Sequence, residues 1–124
     1  MKKEVMKKWV KALRSGKYKR GSGWLKQDTP TGVRHCCLGV LCEITPGVTW
    51  RKKGELSRIY VANSGEGEDT MSLPYEVKQY AGMDTSFGYI KGRRGKDSLD
   101  DINDSGKYSF NQIADIIEKH WEKL

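Results

Sequence analysis

The sequence predicts an α+β fold, with three to four helices packed on a small antiparallel sheet. Two segments with apolar residues recurring every three or four positions mark helices at the ends of the chain. Between them lie short β-branched or aromatic runs punctuated by glycine and proline. A chain of 124 residues is read as one domain, residues 1–124, large enough to build a core without disulfides. The competing architecture is an all-helical bundle with long loops.

The first helix is expected from Lys2 to Ser15. Val5, Trp9, Ala12 and Leu13 share one stripe, flanked by Met6 and Val10, while Lys3, Lys7, Lys11 and Arg14 lie on another. Gly16 supplies a left-handed stop. Lys17 to Gly23 is basic and glycine-rich and reads as a loop. Trp24 to Lys26 and Val33 to His35 read as paired strands, with the turn Thr29-Pro30-Thr31-Gly32 between them.

A second helix is expected from Cys37 to Ile44 and ends at Pro46-Gly47. It is apolar on most of its surface and therefore buried. Residues 48–70 look irregular or β-like, with Arg58 to Val61 the best strand and Asn63 to Thr70 an acidic loop. A helix opens at Ser72-Leu73-Pro74 and stops at Gly82. Thr85 to Ile90 is a candidate strand, and Leu99 to Asn103 a short helical turn closed by Ser105-Gly106. Ser109 with Gln112 forms a capping box for the last helix, whose inner face is Phe110, Ile113, Ile117, Trp121 and Leu124. The expected core comprises Val5, Trp9, Leu13, Cys37, Leu38, Leu41, Ile44, Val77, Tyr80, Leu99, Ile102, Phe110, Ile113, Ile117 and Trp121.

The net charge is +7 and is polarised. Residues 1–27 hold ten Lys or Arg and one acid, whereas residues 64–90 hold five acids and one base. Such polarity suggests an anionic partner: a nucleotide, a nucleic acid or an acidic protein surface. The bland reading is a solvated helix face. The first twenty residues have the charges of a signal peptide but no continuous apolar segment, and no run is long enough to span a membrane. Three cysteines, two of them adjacent, do not make a disulfide framework, so a reducing cytoplasm is expected.

The segment His35-Cys36-Cys37-Leu38-Gly39-Val40-Leu41-Cys42 admits three readings. Zinc needs four converging ligands, yet on a helix Cys36 and Cys42 are turned about 240° apart. A nucleophilic Cys36 would need an activating neighbour, and His35 beside it in the chain is poorly placed to serve. Burial as small apolar side chains is the expected outcome. The acids Asp97, Asp100, Asp101 and Asp104 could hold a divalent cation, but Asn103-Asp104-Ser105-Gly106 is first a turn signal.

Two glycine loops stand apart from these: Gly21-Ser22-Gly23 and Lys91-Gly92-Arg93-Arg94-Gly95-Lys96. Neither matches a known phosphate-loop pattern. Glycine still lets backbone amides approach a phosphate, arginine offers paired donors, and a neighbouring aromatic ring can stack on a base. The candidate ligand-binding residues are therefore Arg20, Trp24, Arg34, Tyr89, Lys91, Arg93 and Arg94.

Trp9, Leu13-Arg14-Ser15-Gly16-Lys17-Tyr18, Cys36 to Cys42, Leu73-Pro74, Leu99 to Gly106 and Phe110 to Glu118, in that order, resemble a small-protein family common in tailed-phage and prophage genomes. The resemblance implies a phage accessory protein acting in the host cytoplasm, and it implies nothing about catalytic residues. The acidic stretch Glu66-Gly67-Glu68-Asp69 and the basic knot at 91–96 depart from the pattern. The expectation is a counter-defence protein that sequesters an anionic, nucleotide-like ligand without catalysis, with neither metal nor cofactor. Self-association into a homo-oligomer is expected to complete its pocket. The alternatives are an inhibitor that binds a host defence protein or nucleic acid directly, and a small metal-dependent hydrolase using the Asp97–Asp104 cluster.

Overall fold

A computed structural model of the chain describes residues 1–92 and 97–124. Its order is α1 (Lys3–Arg14), β1 (Lys19–Arg20), β2 (Lys26–Thr29), β3 (Gly32–His35), α2 (Cys37–Ile44), β4 (Thr49–Lys52), β5 (Tyr60–Asn63), β6 (Glu68–Asp69), α3 (Tyr75–Ala81), α4 (Leu99–Asp104) and α5 (Phe110–His120). A 3-10 turn, Trp121–Lys123, closes it. The class is α+β; among the described residues there are five helices where three or four were expected and two three-stranded sheets where one was expected. The all-helical alternative is set aside by the same strands.

The first sheet has the order β1-β3-β2 and the second β4-β5-β6. The hairpin β2–β3 turns at Pro30-Thr31, as its residues dictate, with Thr29 opposite Gly32. β1 adds to it in parallel, with Arg20 opposite His35. A bridge between Gln27 and Ile59 and a bond from Asp28 N–H to Arg58 C=O (2.8 Å) join the two sheets.

The helices obey their periodicity. α1 buries Val5, Met6, Trp9, Val10 and Leu13 against α2 and α5, and Gly16 turns the chain at φ +75°. Ser109 and Gln112 cap α5 reciprocally. Gly39 lies where α2 crosses Leu25: a Cβ there would sit 1.8 Å from the Leu25 carbonyl oxygen. Only glycine allows backbones to approach that closely.

Several expectations are corrected. Trp24 and Leu25 precede the strand, which runs from Lys26 to Thr29. The strand expected at 58–61 is Tyr60–Asn63. Thr85 to Ile90 is no strand: Thr85 Oγ1 accepts the Tyr89 amide in a turn, and Gly88 has φ +71° beneath the Leu99 side chain. Ile44, Tyr80, Ile102 and Trp121 are half-buried at the core's edge, while Leu25, Leu73, Met83 and Ile90, missed from sequence, lie inside it.

Candidate functional site

The two most distinctive stretches of sequence meet in a structural knot. Asn103, fully buried on α4, accepts from the Cys37 amide at the start of α2 (3.0 Å) and donates to the Gly21 carbonyl (2.8 Å). Asp104 accepts the Gly23 amide at 2.9 Å. The first free N–H groups of a helix need such partners, and here another helix supplies one. The Gly21 amide goes to the His35 carbonyl (2.7 Å), so the amides of Gly21 and Gly23 are both spent inside the protein.

The cysteines are free and buried. Cys36 caps α2 by accepting from the Gly39 amide, and Cys37 Sγ faces the Leu99 carbonyl at 3.6 Å. Burial pushes the Cys36 thiol up to about 12 and those of Cys37 and Cys42 well above the usual thiol range. A thiol so protonated is no nucleophile. Among the described residues, no group of three or more His, Cys, Asp and Glu is arranged to hold a metal ion. Asp100 accepts from Ser98 and from the Asp101 amide.

A second network, centred on Glu43, joins the sheets to α2. Its Oε2 lies 2.7 Å from His35 Nε2 and 3.3 Å from Lys26 Nζ, and its Oε1 accepts from Trp50 Nε1 at 2.9 Å. Burial opposes the charge on Glu43. The His35 hydrogen bond and the Lys26 cation outweigh it and hold the carboxyl at about 2. The Lys26 ammonium stands 4.9 Å from the ring centres of both Trp50 and Tyr60, and Tyr60 and Lys52 both bond Asp28. These charges compensate one another, so the network's part is to staple the two sheets. His35 Nδ1 is buried with no hydrogen-bond partner among the described residues, and its ring meets the Tyr18 ring edge-on (centroids 5.0 Å apart, 77°).

In front of Tyr18 the surface opens. A groove of about 350 Å³ lies between the C-terminal half of α1 and the end of α2. Ala12, Tyr18 and Ile44 floor it, and Lys8, Lys11 and Lys17 rim it. Gly16 turns the chain so that Lys17 and Tyr18 fold back beside the helix. None of the three lysines forms an ion pair with a described residue. Arg14, by contrast, is engaged by Asp115 (2.6 Å) and Glu118 (3.2 Å).

The described residues among those singled out from sequence do not converge in one place. Arg20 and Arg34 adjoin, with Arg34 donating to the Arg20 carbonyl (3.0 Å) and to Thr31 Oγ1 (3.0 Å), and Arg20 donating to the Asn103 carbonyl (3.0 Å). Trp24 is half-buried in the loop that follows. Tyr89, 42% exposed, bridges Ser98 at the far end of α4, and Lys91 pairs with Asp84. Six helical residues, about 9 Å of axis, separate that end of α4 from Arg20. Arg93 and Arg94 lie outside the described residues. Sequence reasoning did not group Lys8, Lys11, Lys17, Tyr18 and Ile44, which the fold brings around this groove. The Lys-Tyr pair just after the Gly16 stop was the available signal.

A domain of unknown function, DUF8296, matches residues 1–121, and the chain belongs to that family. No curated protein and no solved structure matches it.

Proposed function

We propose that the chain is a phage accessory protein that binds an anionic, nucleotide-like ligand in the groove between α1 and α2 and holds it intact in the host cytoplasm. One observation carries the reading: Lys8, Lys11 and Lys17, none in an ion pair among the described residues, surround a floor of Ala12, Tyr18 and Ile44, with the Lys17 ammonium 5.5 Å from the centre of the Tyr18 ring. Three like charges over an apolar floor repel one another until an anion joins them, and the floor suits a planar base. Sequestration rather than turnover is supported by the state of the reactive side chains. The thiols are buried, His35 is shut behind Tyr18 against Glu43, and Asp100 and Asp104 accept hydrogen bonds from groups of their own fold.

The test is mass spectrometry of ligand recovered after incubating the protein with a mixed nucleotide pool. Intact nucleotide, lost in the Lys8→Ala/Lys17→Ala variant, is the expected result. Chemically altered nucleotide overturns sequestration. Recovery of nothing overturns the small-ligand reading and favours a protein-surface blocker. Leu56, 98% exposed in the turn between β4 and β5, gives that alternative its anchor.

A further inference from the structure

We propose that the ligand is a nucleoside polyphosphate, with its base on the Tyr18–Ile44 floor and its phosphates running across Lys11 toward Lys7. This inference rests on the groove reading above and narrows it.

Two depressions flank the C-terminal half of α1, and Lys11 and Ser15 line both. The first is the groove described above. The second, of about 520 Å³, is lined by Lys7, Val10, Arg14 and Glu118 besides the shared pair. The two differ in chemistry. The first has an aromatic ring and a half-buried isoleucine in its floor, whereas the second has only Val10, itself 4% exposed. A ligand with two bases needs two platforms. A ligand with one base and a chain of phosphates needs one platform and a cationic track, which is the pair present here.

The track is continuous. Lys7 and Lys11 are spaced i, i+4 on α1, and Lys8 and Lys11 i, i+3, so their Cβ atoms are neighbours about 5–6 Å apart. Their stems are long, and none is tied to an acid among the described residues. Glu118 at the rim would repel a phosphate, and Arg14 offsets it in part, since the same guanidinium pairs with Glu118 at 3.2 Å and with Asp115 at 2.6 Å. The C-terminal end of the α1 dipole offsets only about half a positive charge, which leaves most of the charge of Lys7, Lys8, Lys11 and Lys17 for a ligand.

Calorimetric titration of the full chain tests this, using the mono-, di- and triphosphates of adenosine, guanosine, cytidine and uridine in EDTA, with inorganic triphosphate and a linear dinucleotide as comparators. For at least one base, affinity is expected to rise by up to about fivefold with each added phosphate, the scale of an exposed charge pair. Lys7→Ala should remove the advantage of the triphosphate and leave the monophosphate unchanged, while Lys17→Ala should weaken all three alike. Equal affinity for mono- and triphosphate overturns the proposal while sparing the groove, as does an equal effect of Lys7→Ala on both. Tighter binding of the dinucleotide does the same. Inorganic triphosphate binding as well as the best nucleotide overturns the base platform. No binding by any nucleotide overturns this inference and the groove reading together.

Discussion

Replacing Asn103 by alanine is expected to be among the most damaging polar substitutions in this protein. The side chain has no exposed surface and satisfies three groups: the Cys37 amide, the Gly21 carbonyl and, at 3.1 Å, a carboxylate oxygen of Asp104. Truncation leaves the first two in the interior without partners. Each costs about 1–3 kcal/mol, so the loss is about 2–6 kcal/mol. A domain of this size is stable by only about 5–15 kcal/mol. Urea titration followed by circular dichroism measures the change as a fall in midpoint at constant slope. Two companions sharpen it. Asn103→Asp keeps an acceptor for Cys37 but sets a carboxylate against the Gly21 carbonyl and Asp104, and should cost at least as much. Asp101→Ala, on the exposed side of the same helix, should stay within about 0.5 kcal/mol. A loss below about 1 kcal/mol for Asn103→Ala would refute the view that this residue completes the α2 N-terminus.

Gly39→Ala should cost about 3 kcal/mol or more, because its methyl meets the Leu25 backbone rather than a movable side chain; a melting temperature within a few degrees of the parent would contradict the packing. Ellman's reagent should find the three thiols only after denaturation, since burial raises all of them; rapid titration in the folded protein would mean that α2 opens readily. Glu43 sits near 2 when folded against an ordinary 4.5, so its contribution is full above about pH 4.5 and is lost as pH falls toward 2. Glu43→Gln should therefore lose less stability across that window than the parent, and parallel acid titrations would disprove the linkage.

The helices were legible because their signals are local. The stripe of α1, the Ser109–Gln112 box and the Gly82 stop each need only a few neighbouring residues, and each stands as read. The strands were less legible because their pairing is not local. β1 is two residues long and exists by lying parallel to β3, and β6, equally short, exists by pairing with β5. Nothing in Lys19-Arg20 or Glu68-Asp69 alone favours a strand, since lysine, glutamate and aspartate are depleted there. The same limit hid Leu25, which is fully buried and whose backbone meets α2 at Gly39.

The candidate site was less legible for a physical reason that bears on how such charged sequences are read. Glycine beside arginine looks like an anion loop, because both the loose backbone and the guanidinium are suited to phosphate. Yet Gly21 and Gly23 spend their amides on His35 and Asp104, and the Arg20 and Arg34 guanidiniums bond carbonyl and hydroxyl oxygens of their own fold. A donor already satisfied internally contributes to a ligand only the difference between two hydrogen bonds, which is small. The lysines of α1 read as an ordinary solvated face because their spacing is that of any amphipathic helix. On the proposed reading, what separates them from a solvated face is the chain turning at Gly16 to bring Lys17 and Tyr18 alongside Lys8 and Lys11, with Ile44 arriving from α2. The charges that matter for binding are those the fold leaves unspent, and the fold has to be known before the unspent ones can be picked out.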